Sequence, residues 1–283
     1  MSFIERIIDV AITERSTGKS WTICGHRVQC AISVLGGPSA DTAHVRIFGL
    51  PLDLMNELTA IGPANPTAME QNTMEISAGN SGETIPTVFK GSIYQAWADF
   101  STAPDVSFTL YGTPSGFASL QPVPPTSFRG TVSTASVMAS MASLAGLSFV
   151  NHGVSGTLLN PYFPGTALHQ IRRCAIQAHV AFSIAMDTLT IWPVGAVRPG
   201  DVPVLSPNAG LVGYPTFRMH ALEVRSVFLP AMQLQQQFEV RDSIVAPANG
   251  LWSAFGIIHN LESQVPGGEW FTDLAGWVHV NNP

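Results

Sequence analysis

The chain has 283 residues, of which 46% are apolar and only 11% charged, with 13 Lys+Arg against 19 Asp+Glu. The formal net charge of −6 excludes a polyanion binder driven by bulk positive charge, because counterion release needs clustered cations. The apolar share excludes intrinsic disorder, and the length suffices for one large or two to three small domains whose cores need no disulfide or metal.

Lys19 and Lys90 are the only lysines; every other basic residue is arginine, the cation favoured in buried and interfacial pairs. Arg129 is the single charge between Asp105 and Arg172, and Asp242 to Glu262 encloses a charge-free run. Two readings follow: a neutral β-protein with Ser/Thr/Asn surfaces, or a subunit mostly covered by neighbours. Cys24, Cys30 and Cys174 form no disulfide framework, which implies folding in a reducing compartment. The start Met1-Ser2-Phe3-Ile4-Glu5-Arg6 carries acid and base where an export signal is apolar, and the stretch Val137 to Val150 is too rich in Ser and Gly for a membrane helix. The expectation is a soluble protein made in the cytosol, with no membrane insertion.

In chain order, residues 3–12 predict a strand, Ser16-Thr17-Gly18-Lys19 a turn, and Trp21 to Leu35 one long returning strand. Gly36-Gly37-Pro38-Ser39 breaks the chain before a strand over 43–48. Pro51 opens a short helix with Leu54, Leu58 and Ile61 on one face, ended by Gly62-Pro63. Strands near 72–78, 85–99 and 106–112 complete a small barrel or sandwich. Pro122-Val123-Pro124-Pro125 is the clearest boundary, since neither a helix nor a central strand continues through it. Beyond it, Ser133 or Ser136 caps a helix with Val137, Met141 and Leu144 inward and Gly146 at its end. A strand at 147–151 follows, then a second helix capped by Thr166 with Leu168, Ile171 and Ala175 on one side. Two strands joined by Asp187-Thr188 close an α/β unit. Pro193, Pro199, Pro203 and Pro207 mark the exit to further strands over 220–228, 236–245, 254–263 and 269–280, with Pro266-Gly267-Gly268 as a hairpin turn. The fold class is therefore mainly β with an α/β insertion. Its division is 1–121 (N-terminal β), 126–196 (α/β) and 197–283 (C-terminal β).

Chemistry-bearing patterns are sparse. On the predicted long strand, Cys24, His26 and Cys30 share a face, but no fourth ligand accompanies them, and buried cysteines beside a satisfied histidine fit better. HExxH, a nucleophile elbow and a phosphate loop are all missing from the sequence. No enzyme activity, metal or cofactor is expected. Arg172 and Arg173 lie side by side on the second helix, directed away from its apolar face. They make either a solvated face or a fork for a partner's carboxylates. Trp252 and Trp270, like Trp277, serve the core by default and an interface otherwise.

The run Cys24-Gly25-His26-Arg27-Val28-Gln29-Cys30-Ala31-Ile32-Ser33 is followed by Thr42 to Leu50 and Asp53-Leu54-Met55-Asn56. Together with Ile171-Arg172-Arg173-Cys174-Ala175, Leu189 to Pro193, Asn249-Gly250-Leu251-Trp252, His259 to Ser263 and Pro266 to Phe271, it resembles the central baseplate hub proteins of tailed phages, especially contractile ones. The resemblance implies a homotrimer whose subunits each give two tube-type β-barrel domains, flanking a small α/β domain, to a pseudo-sixfold ring. That ring would join a sixfold tail tube or tube-initiator protein to a threefold central spike or needle. It would touch baseplate wedge proteins and surround a channel for the tape-measure protein and, in transit only, DNA. The location implied is the virion tail, assembled in the host cytoplasm. A tail-associated carbohydrate-binding or hydrolytic β-protein is the alternative.

Overall fold

The computed structural model describes residues 5–14, 17–37, 41–59, 72–120, 122–218 and 221–278. Alternating apolar residues give the N-terminal strands one inward face each. In β1 (Arg6–Glu14) it is Ile8, Val10 and Ile12 that point inward, followed by the four-residue β2 (Ser20–Ile23). In β3 (Val28–Val34) and β4 (Thr42–Phe48) the buried sets are Val28, Cys30 and Ile32, and Ala43, Val45 and Ile47. Helix α1 (Leu52–Leu58) starts after Pro51 and buries Met55 and Leu58; the predicted Ile61 and the Gly62-Pro63 stop lie outside the described residues. The strands β5 (Asn72–Asn80), β6 (Thr87–Asp99) and β7 (Ser107–Thr113) and the short α2 (Gly116–Leu120) follow. All seven strands contribute to one core, which also takes Leu261 and Trp270 from near the other end of the chain.

The long strand expected over Trp21 to Leu35 is two strands. Gly25 adopts φ +72, a left-handed conformation that ends β2 and re-aims the chain through Arg27 into β3. The shared parity of Cys24, His26 and Cys30 is lost with it. Cys24 is exposed, Cys30 is buried, and His26 Nδ1 lies 3.0 Å from the Phe48 carbonyl oxygen.

The α/β insertion begins with the two-residue β8 (Thr126–Ser127) and β9 (Thr131–Ser133). Helix α3 (Thr134–Leu144) leads to β10 (Ser148–Asn151), β11 (Thr157–Leu159) and β12 (Tyr162–Phe163). Then come α4 (Ala167–Ala178), β13 (Val180–Ala185) and β14 (Thr188–Pro193). Ser133 occupies the N-cap position of α3 without a side-chain hydrogen bond. The inward face of α3 is Val137, Met138, Met141 and Ala142, and Leu144, expected inside, is exposed. The face is rotated relative to the expected one, with Met138 and Ala142 in the second core where Leu144 was expected. Thr166 caps α4, accepting from the His169 amide, and Leu168, Ile171, Cys174 and Ala175 join the second core. Met186 and Asp187, both at positive φ, turn β13 into β14.

The C-terminal part holds β15 (Val204–Leu205), β16 (Leu211–Arg218), β17 (Ala221–Val227), β18 (Gln237–Val240), β19 (Gly250–Glu262) and β20 (Trp270–Val278), around a third core. β15 and β16 were not anticipated. In β16 only Pro215 is buried, so apolar alternation is missing.

One sheet of thirteen strands, in the order β16-β17-β20-β19-β3-β4-β7-β6-β5-β1-β2 with β18 and β15 branching off β19, unites the two β regions. β19 is the shared member. One of its edges pairs along its length with β20; the other pairs first with β18 (Val240↔Gly250 to Gln237↔Ser253) and then with β3 (Val34↔Ile257 to Gln29↔Glu262). The insertion is tied to the N-terminal strands by Gly37, whose amide donates to the Phe182 carbonyl at 2.7 Å, and by a Lys90–Asp187 ion pair at 2.7 Å.

Candidate assembly surface

The residues of β3, β4, β6, β7, β19 and β20 that alternate with core positions form one broad face of the sheet, mostly half-exposed, with Ser107 and Thr109 buried among their neighbours on it. Because the pairing is in register, side chains on this face line up in rows across the strands. One row runs Phe271, Asn260, Ala31, His44, Tyr111 and Gln95; the next runs Glu262, Gln29, Arg46, Thr109 and Trp97. The His44 and Tyr111 rings stack with centroids 4.3 Å apart and planes within 3°. Trp97 stacks on the far side of Tyr111 at 5.7 Å, with Tyr94 tilted beside it at 6.0 Å. Burial, and secondarily the neighbouring Arg46 charge, pull the His44 pKa below its ordinary value, so the ring is neutral at pH 7.

The charges of this face are largely matched on it. Arg225 grips Asp273 with two bonds of 2.7 and 2.9 Å, and Asn260 donates to the same carboxylate at 2.9 Å. Hydrogen bonding to Asp273 raises the Arg225 pKa further. Glu262 accepts from Arg27 at 3.0 Å and from Gln29 at 2.8 Å, which clasps β19 to β3 at the joint between the two β regions. Arg46 turns toward Ser107 Oγ at 3.3 Å and lies over the Phe48 ring. The result is a polar, nearly neutral wall with an aromatic ladder at its centre.

The four residues singled out in the sequence are not brought together. Arg172 and Arg173 lie on α4 in the insertion, Arg172 half-buried with Nε unpartnered among the described residues, Arg173 exposed. Trp252 is 5% exposed and donates its Nε1–H to the Ala248 carbonyl, while Trp270 is 4% exposed, edge-on to Phe228 and under the Arg6 guanidinium. Within one chain both indoles are therefore core residues. His44, Tyr111, Trp97 and Tyr94 were not singled out; each is unremarkable locally, and only the pairing of β4, β6 and β7 stacks them. Among the described residues no group of three or more His, Cys, Asp or Glu side chains could hold a metal ion, and no helix is long and apolar enough to cross a membrane.

Comparison with known proteins places this architecture. The 43 kDa tail protein of prophage MuSo2 from Shewanella oneidensis shares the fold at a TM-score of 0.63 and 11% identity, over 97% of this chain and 96% of that one. A tail protein from Neisseria meningitidis MC58 gives 0.63 and 13%, over 96% of both chains. An Escherichia coli component of the type VI secretion system, described as structurally similar to T4 tail proteins gp27 and gp5, gives 0.58 and 8%, over 99% of this chain and 75% of that one. At these identities the likeness is one of fold. No curated protein sequence matches. The family model for baseplate hub gp41 matches residues 7–266. A mainly β chain with an α/β insertion, matched over almost its full length by that model, belongs to the baseplate hub gp41 family of phage tail proteins.

Proposed function

We propose that three copies of this chain close a ring that joins a sixfold tail tube, or tube-initiator protein, to a threefold central spike, with the broad sheet face turned to the channel. The observation that carries this reading is the β3–β19 joint. Through it each chain offers two β units side by side in one sheet, so three chains supply six units for a tube above and keep threefold symmetry for a spike below. Residues 1–121 and 197–283 act as the two tube-type domains, and 126–196 stands outside the ring toward the baseplate wedge proteins. The tape-measure protein, and later DNA in transit, pass along a wall on which Arg225 and Arg27 are matched by Asp273 and Glu262, so that Arg46, turned to Ser107, is one of few cations left to phosphates.

On this reading the hub is a virion scaffold, assembled in the host cytoplasm, without catalysis of its own. Arg173 and the exposed side of Arg172 are candidate contacts for carboxylates of neighbouring proteins, whereas Trp252 and Trp270 act as core residues. A free sheet edge invites pairing, and β16 carries Tyr214 (70% exposed) and Phe217 (49% exposed) at that edge. The next copy is expected to cover it. A reconstruction of the intact tail tests the proposal: three copies around the axis with the His44 face inward are expected. Six copies per ring, or one copy off the axis, would end it.

A further inference from the structure

The two β regions repeat one another. In each, five strands follow in chain order, β3-β4-β5-β6-β7 and β16-β17-β18-β19-β20, and each sheet takes them in the order first, second, fifth, fourth, third. The fourth strands, β6 and β19, are both 13 residues long, and both skip one residue against their hairpin partner. Tyr94 is skipped between Ile93↔Gly112 and Gln95↔Tyr111, and Phe255 between Ala254↔Gly276 and Gly256↔Ala275. The likeness extends to packing. A Cβ at Gly112 would strike the end of Met74, as one at Gly276 would strike Phe238, and Met74 and Phe238 hold the same place on the third strands. Arg46 and Arg225 correspond on the second strands.

One edge in this repeat lacks its counterpart. The first half of each fourth strand pairs with the third strand of its own unit, and the second half of β19 then pairs with β3, the first strand of the other unit. The second half of β6, residues 94–99, has no strand on that edge among the described residues. β16 is the matching first strand, and its outer edge has no partner strand among the described residues either.

We infer that the outer edge of β16 in one copy pairs, antiparallel, with residues 94–99 of β6 in the next copy, in the register that β3 takes on β19. Phe217 faces Leu222 as Ile32 faces Ala43, and Ala98 stands where His259 stands, so the register of Ile32 with His259 sets Phe217 opposite Ala98. Arg218 then falls opposite Trp97, and Thr216 opposite Asp99. The side chains agree with this placement. Phe217, edge-on to Trp252, and Ala98, packed on the first core, both point to the core side, a large side chain against a small one. On the other side the exposed Arg218 lies beside the Trp97 indole and diagonal to the Asp99 carboxylate. The inference rests on the proposed ring and supplies its joints: β3–β19 within each chain alternates with β16–β6 between chains. Unlike edges that meet head to tail close into a ring when the rotation permits.

The test uses intact tails carrying the full-length hub with Cys24→Ser, which removes its exposed cysteine, and the added pair Asp99→Cys and Thr216→Cys. Residues opposed in an antiparallel pair lie about 4.5–5.5 Å apart at Cα, within disulfide reach. Oxidation should convert most of the hub to a covalent trimer on a non-reducing gel. Either cysteine alone, or Thr216→Cys combined with Gln95→Cys on the same face, should leave monomers. Linkage by Thr216→Cys alone means that β16 pairs with β16 and overturns the inference, as does an unlinked Asp99→Cys/Thr216→Cys hub in assembled tails. Covalent ladders running past three copies keep the β16–β6 joint and remove the threefold ring. A reconstruction of wild-type tails with three copies, but with β16 away from β6, keeps the ring and removes the joint. If the cysteine variants do not assemble, that reconstruction decides, by the presence or absence of main-chain pairing between 216–218 and 97–99.

Discussion

Gln170 of α4 and Thr126 of β8 are joined twice: the amide oxygen of Gln170 accepts from the Thr126 backbone N–H at 3.2 Å and from its hydroxyl at 2.6 Å. The same side chain donates to the Pro124 and Gly165 carbonyls at 3.1 and 3.0 Å. A fully buried glutamine thus fastens the proline-rich entry of the insertion to its second helix.

Gln170→Leu keeps the volume but strands those backbone partners without bonds. Unmade buried hydrogen bonds cost about 1–3 kcal/mol each, so a loss of about 2–4 kcal/mol is expected once the chain relaxes. Equilibrium denaturation in urea measures it; a loss under about 1 kcal/mol would show that water replaces the amide.

His259 gives the fold an acid sensitivity. It is buried between β20 and Phe228, with Nδ1 2.9 Å from Thr272 Oγ1, and burial lowers its pKa from 6.5 to about 4. The native ring stays neutral where the unfolded ring is protonated. Stability is therefore fully present above pH 6.5 and falls as pH drops toward 4, by up to about 3 kcal/mol from this residue. His44 and His152, lowered in the same direction, add to the slope. Denaturation midpoints of His259→Gln should vary less between pH 7 and pH 4.5 than those of the wild type, and parallel profiles would refute this.

Gly276 lets β20 pass under an aromatic ring. A Cβ there would stand 2.8 Å from Phe238 Cζ, closer than real Cβ atoms come, and 3.1 Å from Trp252 Cβ, a tight contact. Gly276→Ala should cost about 1–3 kcal/mol by overpacking the third core. Restoration in Gly276→Ala/Phe238→Leu, read by thermal unfolding, would confirm the clash as the cause.

In the unassembled protein, limited proteolysis should cut first between 194 and 202, where Val194 is 67% exposed and the chain runs outside named strands. Pro122 is bridged to Thr166 and Thr126 is held by Gln170, so the 122–126 segment should be cut later. Primary cuts within 28–48 or 254–278 would argue against domains divided at these prolines.

Local patterns were legible and distant ones were not. The alternation in β1 and β4, the Thr166 cap and the turn after β19 rest on neighbouring residues, which sequence displays directly. The break at Gly25 was hidden because one glycine inside a β-rich run reads equally as strand interior. Leu144 was misplaced because α3 has only a weak amphipathic bias, so its sequence does not mark Met138 and Ala142 as inward. The His44–Tyr111–Trp97 ladder joins residues on three strands, and the Arg27–Glu262 clasp spans most of the chain. Register between such segments is decided by the assembled sheet, and no local periodicity encodes it.

Sharing β19 between two β regions also sets the order in which the protein is made whole. β3 leaves the ribosome among the first strands, yet the partner for its outer edge arrives more than two hundred residues later, as does Trp270 of the first core. Until then, the nascent chain carries an unpaired edge from Gln29 to Val34 beside an unfilled apolar gap, a state prone to pair with the wrong strand. A premature stop before β19 would therefore damage the N-terminal core as well as the missing C-terminal strands. Completion of the sheet thus works as a check on synthesis: only chains finished to β20 can offer a sealed surface to the tail.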